Sequence, residues 1–144
     1  MKAALLQLTT SDDPAANLPQ TVRIVREAVA MGDEFVLTPE LTNCVSTSQA
    51  HQQQVLAFEE DDLTLSALRD LAAELNIHLL IGSLALKTGD ADGRFANRSF
   101  LIGPEGDILA RYDKIHMFDV AISNTETFTE SASYRPGDTA VLAQ

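Results

Sequence analysis

The chain has 144 residues, the length of one domain or of part of a larger one, and 45% of them are hydrophobic. Its mean hydropathy is −0.01 and no apolar run is long enough to cross a bilayer, so the sequence predicts no membrane segment and no membrane partner. Ten basic residues against twenty-one acidic ones give a net charge of −11, which argues against nucleic acid as a partner, because phosphate backbones require clustered lysine and arginine.

Two features favour a cytoplasmic location. Cys44 is the single cysteine, which excludes an intrachain disulfide and is typical of a reducing compartment. The apolar start of the chain is interrupted at Gln7 and by the polar residues 9–13, too early for a signal peptide. We therefore expect a first strand at this end and no export.

A strand and a helix are predicted first along the chain. Residues 2–9 form a short apolar run typical of a buried strand. The helix begins either in residues 11–14, where an acidic cap precedes a proline, or at a second cap, Asn17, because Pro19 would interrupt an earlier start. Gly32 is a natural C-terminal stop for this helix.

The second strand ends beside a candidate site residue, Glu40. Phe35-Val36-Leu37 reads as a short strand, and Pro39 stops its pairing because proline cannot donate to a ladder. In α/β sheets, ligands bind at the carboxyl ends of strands, where Glu40 would lie. The alternative interpretation is a solvated loop glutamate.

The polar residues 43–62 predict a loop with a helical turn near 55–58. A helix follows, ended by Asn76, with its apolar face formed by Leu65, Leu68, Leu71 and Leu75.

Four further strands are predicted in the second half. Residues 77–86 are apolar enough for a strand buried on both faces, and residues 96–102 form the next strand. The tight turn at 104–107 joins it to a fifth strand as an antiparallel hairpin. A polar loop at 120–138 then precedes a last strand at 139–142. The order β-α-β-α-β-β-β-loop-β predicts a mixed α/β layer.

Lys114 is the most unusual residue of the fifth strand. If the strand extends to Phe118, one apolar and aromatic face also carries Lys114 and His116. An ammonium on such a face is costly to desolvate unless a carboxylate or a substrate compensates it. The alternative is a lysine at a strand end whose methylene stem extends to solvent.

Several familiar sites are missing. The sequence contains no G-x-x-x-x-G-K-[ST], no G-x-G-x-x-G and no G-x-S-x-G. Its three histidines are widely spaced and have no cysteine or histidine partner at metal-ligand intervals. The sequence therefore predicts no cofactor and no metal site.

Three separate motifs occur in a characteristic order. They are Leu37-Thr38-Pro39-Glu40, then Tyr112-Asp113-Lys114-Ile115-His116-Met117-Phe118-Asp119, then Thr129-Glu130-Ser131 with Tyr134-Arg135-Pro136-Gly137. Together they resemble the carbon–nitrogen hydrolase (nitrilase) superfamily, above all its Nit-type amidase branch, and the resemblance runs from the first strand to Gln144.

The resemblance implies a Glu-Lys-Cys triad that cleaves small linear amides through a thioester intermediate. Glu40 would be the general base and Lys114 would stabilise the oxyanion of the tetrahedral intermediate. Glu130 would be an auxiliary carboxylate that orients Lys114 or the substrate. We expect these three residues to form the site, with a small amide as the substrate.

The resemblance also implies a four-layer α-β-β-α sandwich, of which residues 1–144 supply roughly the N-terminal half. The family's nucleophilic cysteine follows the strand predicted at 139–142, so we expect the chain to be truncated before it and inactive alone. Cys44 is a poor substitute, because it lies only four residues from Glu40 and a nearby carboxylate raises a thiol's pKa.

Two other functions remain open: a non-catalytic fragment or pseudoenzyme that acts as an interaction module, and a small-molecule binding domain. The resemblance implies a homo-oligomer, a dimer or higher. We further expect self-association, because half of a sandwich leaves an apolar sheet face uncovered.

Overall fold

The computed structural model describes residues 1–121, 123 and 126–143. In chain order, its helices and strands are β1 (Ala3–Leu5), α1 (Pro14–Ala30), β2 (Phe35–Leu37), α2 (Gln49–Val55), α3 (Leu63–Leu75), β3 (His78–Lys87), β4 (Phe95–Ile102), β5 (Ile108–Asp113), β6 (Asp119–Ala121) and β7 (Thr127–Thr129). Single 3-10 turns lie at Glu59–Asp61 and Glu130–Ala132.

Five strands form one mixed sheet in the order β1-β2-β3-β4-β5. The first three run parallel, which requires the helical crossovers α1 and α2–α3 between them, and β3, β4 and β5 run antiparallel. The predicted hairpin between the fourth and fifth strands is confirmed. β6 and β7 form a separate antiparallel pair.

The main core lies between the sheet and the helices α1 and α3. It is built from leucine, isoleucine, valine and phenylalanine side chains of β2, β3 and β4 on one side and of the two helices on the other, among them Val25, Val36, Leu68, Leu79, Ile81 and Phe100. Asp62 caps α3 by accepting from the Leu65 N–H at 2.8 Å, and Asn76 ends it in a left-handed conformation, as predicted.

Helix α1 takes the first of its two predicted starts. Asp13 accepts hydrogen bonds from the N–H groups of Ala15 and Ala16, and Pro14 occupies the first turn. The helix continues through Pro19 despite the missing N–H, because Val25 and Ala28 beyond it are buried against the sheet.

The structure corrects the prediction at both ends of the chain. The first strand covers three residues rather than 2–9 and its Leu5 is exposed, because it pairs with a β2 that is itself three residues long. Residues 139–143 form no strand, and no described strand pairs with them.

Three more corrections concern the residues between these ends. Residues 49–55, predicted as loop, form α2, which is capped by the Ser48 hydroxyl and fixed by the buried Gln52. β5 ends at Asp113 rather than Phe118, because residues 133–135 take the place beside the start of β4: Phe95 N donates to the Ser133 carbonyl at 2.9 Å and Arg135 N to the Phe95 carbonyl at 2.8 Å. The predicted loop at 120–138 contains β7 and part of β6.

The sheet face that looks away from the main core is partly open. Phe35, Leu80, Leu101 and Tyr112 line a shallow groove of about 230 Å³ on it. Within the residues that the structure describes, no helix combines the length and the apolar character needed to span a bilayer.

Candidate active site

Lys114, Glu40 and Glu130 meet at one point beside the open face of the sheet. The Lys114 Nζ donates to Glu40 Oε1 at 3.0 Å and to both oxygens of Glu130, at 2.9 and 2.7 Å. Glu130 is buried, with 8% of its side chain exposed, whereas the exposed fractions of Lys114 and Glu40 are 27% and 54%. The structure thus brings together all three side chains that the sequence singles out.

The backbone of Lys114 is fixed on both sides as the chain leaves β5. Its N–H donates to the Asn97 carbonyl on β4 at 2.9 Å, and its own carbonyl accepts from Gly137 N at 2.9 Å. A Cβ on Gly137 would lie 2.4 Å from the Asp113 carbonyl oxygen, so only glycine allows this close approach.

Glu40 is carried by a turn that docks on an irregularity in β3. The register of β3 shifts between Ile81 and Leu84, and the buried Ser83 hydroxyl at this irregularity accepts from Leu41 N at 3.0 Å. Leu41 has a φ of 52°, a strained value for a residue with a branched side chain. The hydrogen bond to Ser83 holds Leu41 in this strained conformation. Because Leu41 directly follows Glu40, the same contact fixes the direction of the Glu40 carboxylate.

Glu130 is held from two directions. Phe118 N donates to Glu130 Oε2 at 2.6 Å, which orients the buried carboxylate toward Lys114. The following residue, Ser131, donates to Asp119 through its N–H at 2.9 Å and its hydroxyl at 2.6 Å. These two bonds keep the pKa of Asp119 below its usual value.

Sequence reasoning missed Asn97, which lies between the two acids. Its side chain is buried, and Nδ2 lies 2.7 Å from Glu40 Oε1 and 3.4 Å from Glu130 Oε1. The available signal was weak: Asn97 is the first of three consecutive polar residues in the strand predicted at 96–102, and a polar side chain that a sheet buries must find hydrogen-bond partners. The Gly82-Ser83 pair inside the apolar third strand was a similar signal for the irregularity in β3.

The electrostatics of the cluster keep Lys114 protonated. Burial of the ammonium works to lower the pKa of Lys114, but the hydrogen bonds to Glu130 and Glu40, together with their charges, outweigh it and raise the pKa above the usual value. Lys114 is therefore a permanent cation at neutral pH, next to two acidic side chains.

A second apolar cluster forms the wall behind these residues. Its buried members are Cys44, Leu56, Ala85, Phe95, Met117 and Tyr134. The Tyr134 hydroxyl accepts from Gln52 Nε2 at 2.7 Å, and burial raises the pKa of Tyr134 to about 12. The Gln52–Tyr134 hydrogen bond ties α2 to the segment that follows Glu130.

Cys44 belongs to this wall rather than to the ionic cluster. It is fully buried and its Sγ donates to the Asp12 carbonyl at 3.5 Å. Burial, and then the charges of Asp12 and Asp13, raise the pKa of Cys44 to about 11, so it is a neutral thiol at neutral pH.

The arrangement can support proton transfer and stabilise a negative charge. Glu40 offers a half-exposed carboxylate as a proton acceptor, and Lys114 offers an ammonium that can stabilise a developing oxyanion. In residues 1–121, 123 and 126–143, no three histidine, cysteine, aspartate or glutamate side chains are grouped so that they could hold a metal ion.

Comparison with known proteins gives consistent matches along the whole chain. The family model described as carbon-nitrogen hydrolase matches residues 2–143. Omega-amidase NIT2 of Homo sapiens is 34% identical over 137 residues, which cover 95% of this chain and 48% of that protein. The deaminated glutathione amidase of Yersinia enterocolitica is 30% identical over 142 residues, which cover 97% of this chain and 49% of that protein.

Solved structures match the fold with similar coverage. The NitN amidase from Neterenkonia sp. AN1 superposes with a TM-score of 0.77 at 25% identity, over 100% of this chain and 53% of that one. Nit3 of Saccharomyces cerevisiae, described as a member of branch 10 of the nitrilase superfamily, superposes with a TM-score of 0.79 at 22% identity, over 99% of this chain and 51% of that one. The chain spans about half the length of the curated relatives it matches.

Proposed function

Because the chain belongs to the carbon-nitrogen hydrolase family, we propose that it carries part of the active site of an enzyme that hydrolyses small linear carboxamides. The observation that supports this most directly is the shared contact of one ammonium with two carboxylates, at 2.7 to 3.0 Å. Amide cleavage by a thiol needs a base that takes the thiol proton and a donor that stabilises the oxyanion, and a carboxylate and a fixed cation can fill these two roles.

Each of the three side chains has a distinct role in this proposal. Glu40 is the general base, because it is the more exposed of the two acids and can reach a reacting group. Lys114 stabilises the oxyanion that forms when the amide carbonyl is attacked. Glu130, buried and bonded to Lys114 through both oxygens, is the auxiliary carboxylate that fixes the direction of the ammonium.

The reaction proceeds in two steps. Glu40 takes the thiol proton while sulfur bonds to the carbonyl carbon, and the oxyanion forms beside Lys114. When the carbon–nitrogen bond breaks, the nitrogen takes a proton from Glu40 and leaves as ammonia. Glu40 then removes a proton from water, which attacks the thioester. When the carbon–sulfur bond breaks, the carboxylic acid leaves and Glu40 returns the proton to the sulfur.

The nucleophile of this reaction is not Cys44. Its thiol is buried in the apolar wall, bonded to the Asp12 carbonyl, and has its pKa raised to about 11. We propose that the thiol is supplied from outside residues 1–144 and that these residues alone are inactive. In this proposal residues 1–144 are one part of a single carbon–nitrogen hydrolase domain.

The names of the relatives suggest the substrate class, and the composition suggests the setting. Omega-amidases and a deaminated glutathione amidase are among the matching proteins, so we propose a short primary amide as the substrate. We also propose that the protein is cytoplasmic, because it has a single cysteine, and that it forms a homo-oligomer, because of the family resemblance.

Ammonia release from a panel of short primary amides tests the proposal. We expect no turnover above the blank from residues 1–144, and turnover from the longer chain if the reading frame continues past codon 144 and encodes a cysteine. Glu40→Gln and Lys114→Met should abolish that turnover. Turnover by residues 1–144 that disappears in Cys44→Ala would contradict the assignment of the nucleophile.

A non-catalytic interaction module is the second candidate, and the open face of the sheet favours it. Apolar side chains such as Leu80 and Leu101 are only partly covered there, as expected of a surface that receives another chain. A reading frame that ends without a further cysteine, together with a chain that binds a relative through this face, would favour this candidate over the enzyme.

A further inference from the structure

The Glu40 carboxylate is bonded through one of its two oxygens. Among the described residues, its hydrogen bonds all end on Oε1, which accepts from Lys114 Nζ at 3.0 Å and from Asn97 Nδ2 at 2.7 Å. The other oxygen, Oε2, lies on a side chain that is 54% exposed. The two bonds thus fix which oxygen of Glu40 is turned toward a reacting group.

Asn97 contacts all three members of the cluster. Its NH₂ group has two N–H bonds, and both Glu40 and Glu130 lie within reach of Nδ2. Its backbone carbonyl accepts from the backbone N–H of Lys114 at 2.9 Å. Because both facing oxygens belong to acceptors, Nδ2 rather than Oδ1 must point toward them.

The charge balance explains why an amide suits this position. Two carboxylates share one ammonium, so the cluster carries a net charge of −1 in a partly buried place. A further carboxylate would add repulsion, and an aliphatic side chain would leave two acceptors without a donor. A neutral double donor stabilises both carboxylates and holds them apart without taking part in proton transfer.

We infer that Asn97 is a positioning residue for amide hydrolysis: it binds Oε1 of Glu40 and thereby leaves Oε2 as the basic atom. This inference rests on the proposed function of Glu40 as the general base. A residue that only filled space in β4 would not need to donate to either carboxylate.

Side-chain amide NMR on residues 1–144 tests the contact without any turnover. Replacing Glu40 by leucine removes the acceptor at 2.7 Å, so one of the two Asn97 amide proton resonances should move strongly. Glu130→Gln should cause a smaller change, because its oxygen lies at 3.4 Å. The buried amide of Asn43, which donates to the Ala85 carbonyl at 3.0 Å, is an internal control that should not move in Glu40→Leu. Asn97 side-chain amide resonances that stay unchanged in Glu40→Leu would overturn the inference.

Kinetics of the active longer chain test the consequence for catalysis. Asn97→Leu, which keeps the side-chain size, should lower kcat by about tenfold or more, with KM within about twofold, because a hydrogen bond to a charged group is lost at the reacting centre. Ser99→Ala, on the same strand and the same face, is the matched control and should keep the wild-type kcat. Wild-type kcat in Asn97→Leu overturns the inference and leaves the proposed function intact. Absence of turnover in the longer wild-type chain contradicts the proposed function and also the catalytic role of Asn97. The NMR experiment then still decides whether Asn97 donates a hydrogen bond to Glu40.

Discussion

At the scale of single residues, Lys114 is the side chain on which the other site residues depend. Glu130 is buried and bonds Lys114 through both oxygens, so its charge is compensated by this one cation. Glu40 shares the same ammonium from a more exposed position. Loss of the cation would therefore leave two carboxylates close together, one of them away from water.

Replacing Lys114 by methionine should lower the free energy of unfolding by about 2–3 kcal/mol. This is less than for a fully buried pair, because Glu40 and Lys114 are partly exposed and solvent screens their charges. The double variant Lys114→Met with Glu130→Gln should recover part of the loss, since it removes the uncompensated charge. Urea unfolding of the four chains of this cycle measures the effect, and a Lys114→Met chain as stable as wild type would contradict it.

The same ion cluster predicts how stability changes at high pH. The pKa of Lys114 in the folded chain lies above its ordinary value of 10.5, so the folded state binds this proton more tightly than the unfolded state. The stabilisation that protonated Lys114 gives to the folded chain is present in full at pH values below 10.5. It is lost as the pH rises through the pKa of Lys114 in the folded chain. In the Lys114→Met chain, this part of the alkaline loss should be absent.

At the scale of elements, the interrupted ladder of β3 decides where Glu40 lies. A regular strand would pair Gly82 and Ser83 with β4, whereas here their polar groups bind the turn after β2. Gly82 is required at this contact, because a Cβ on it would lie 2.1 Å from the Thr38 carbonyl oxygen. The turn and the irregularity therefore form one unit that aims the Glu40 side chain.

Gly82→Ala should lower the free energy of unfolding by about 2–3 kcal/mol, because the added methyl group forces the Thr38 backbone away. Gly103→Ala is the matched control, directly after β4: the atoms nearest to its Cβ would belong to the Leu109 side chain, at 3.2 Å, which can rotate away. We expect the control to lose less than about 1 kcal/mol. Thermal unfolding compares the two, and equal losses would argue against a rigid contact at Gly82.

At the scale of the whole molecule, the chain shows an α/β sheet with helices on one face, as in the nitrilase-fold structures it matches. The other face remains partly open, with Leu80, Leu101 and Tyr112 around a groove of about 230 Å³. Apolar surface of this kind favours association, because contact with a second surface removes it from water.

Residues 1–144 alone should therefore self-associate through this face. Sedimentation velocity over a range of concentrations should show a growing fraction of dimers or larger species, and Leu101→Glu, on the open face, should reduce it. Leu63→Glu is the matched control, because Leu63 is 76% exposed on α3 at the opposite side of the sheet. A stable monomer at all concentrations, or equal effects of the two variants, would contradict the prediction.

Local sequence patterns were sufficient for the elements with strong periodicity. The helix at 63–75, its Asn76 end, the strand at 35–37 and the hairpin around 104–107 follow from spacing, capping and turn chemistry, which act over a few residues. α2 was missed because its glutamine-rich sequence has no clear apolar stripe, and it is fixed instead by the distant Tyr134 hydroxyl. The end of β5 was misplaced because residues 133–135, twenty positions further on, replace it beside β4.

The sequence by itself singled out the three side chains proposed to carry the chemistry: a carboxylate after a short strand, a lysine in an apolar stretch and a second carboxylate in a polar loop. Only the tertiary structure decided how they are held, because Asn97, Ser83 and Gly137 approach them from strands and turns far away in sequence. The amino-acid sequence specifies residue types and their local spacing, whereas the 2.7 Å hydrogen bond between Asn97 and Glu40 exists only after the sheet has formed. The physical reason is that long-range contacts are set by the packing of whole elements, which no local pattern contains.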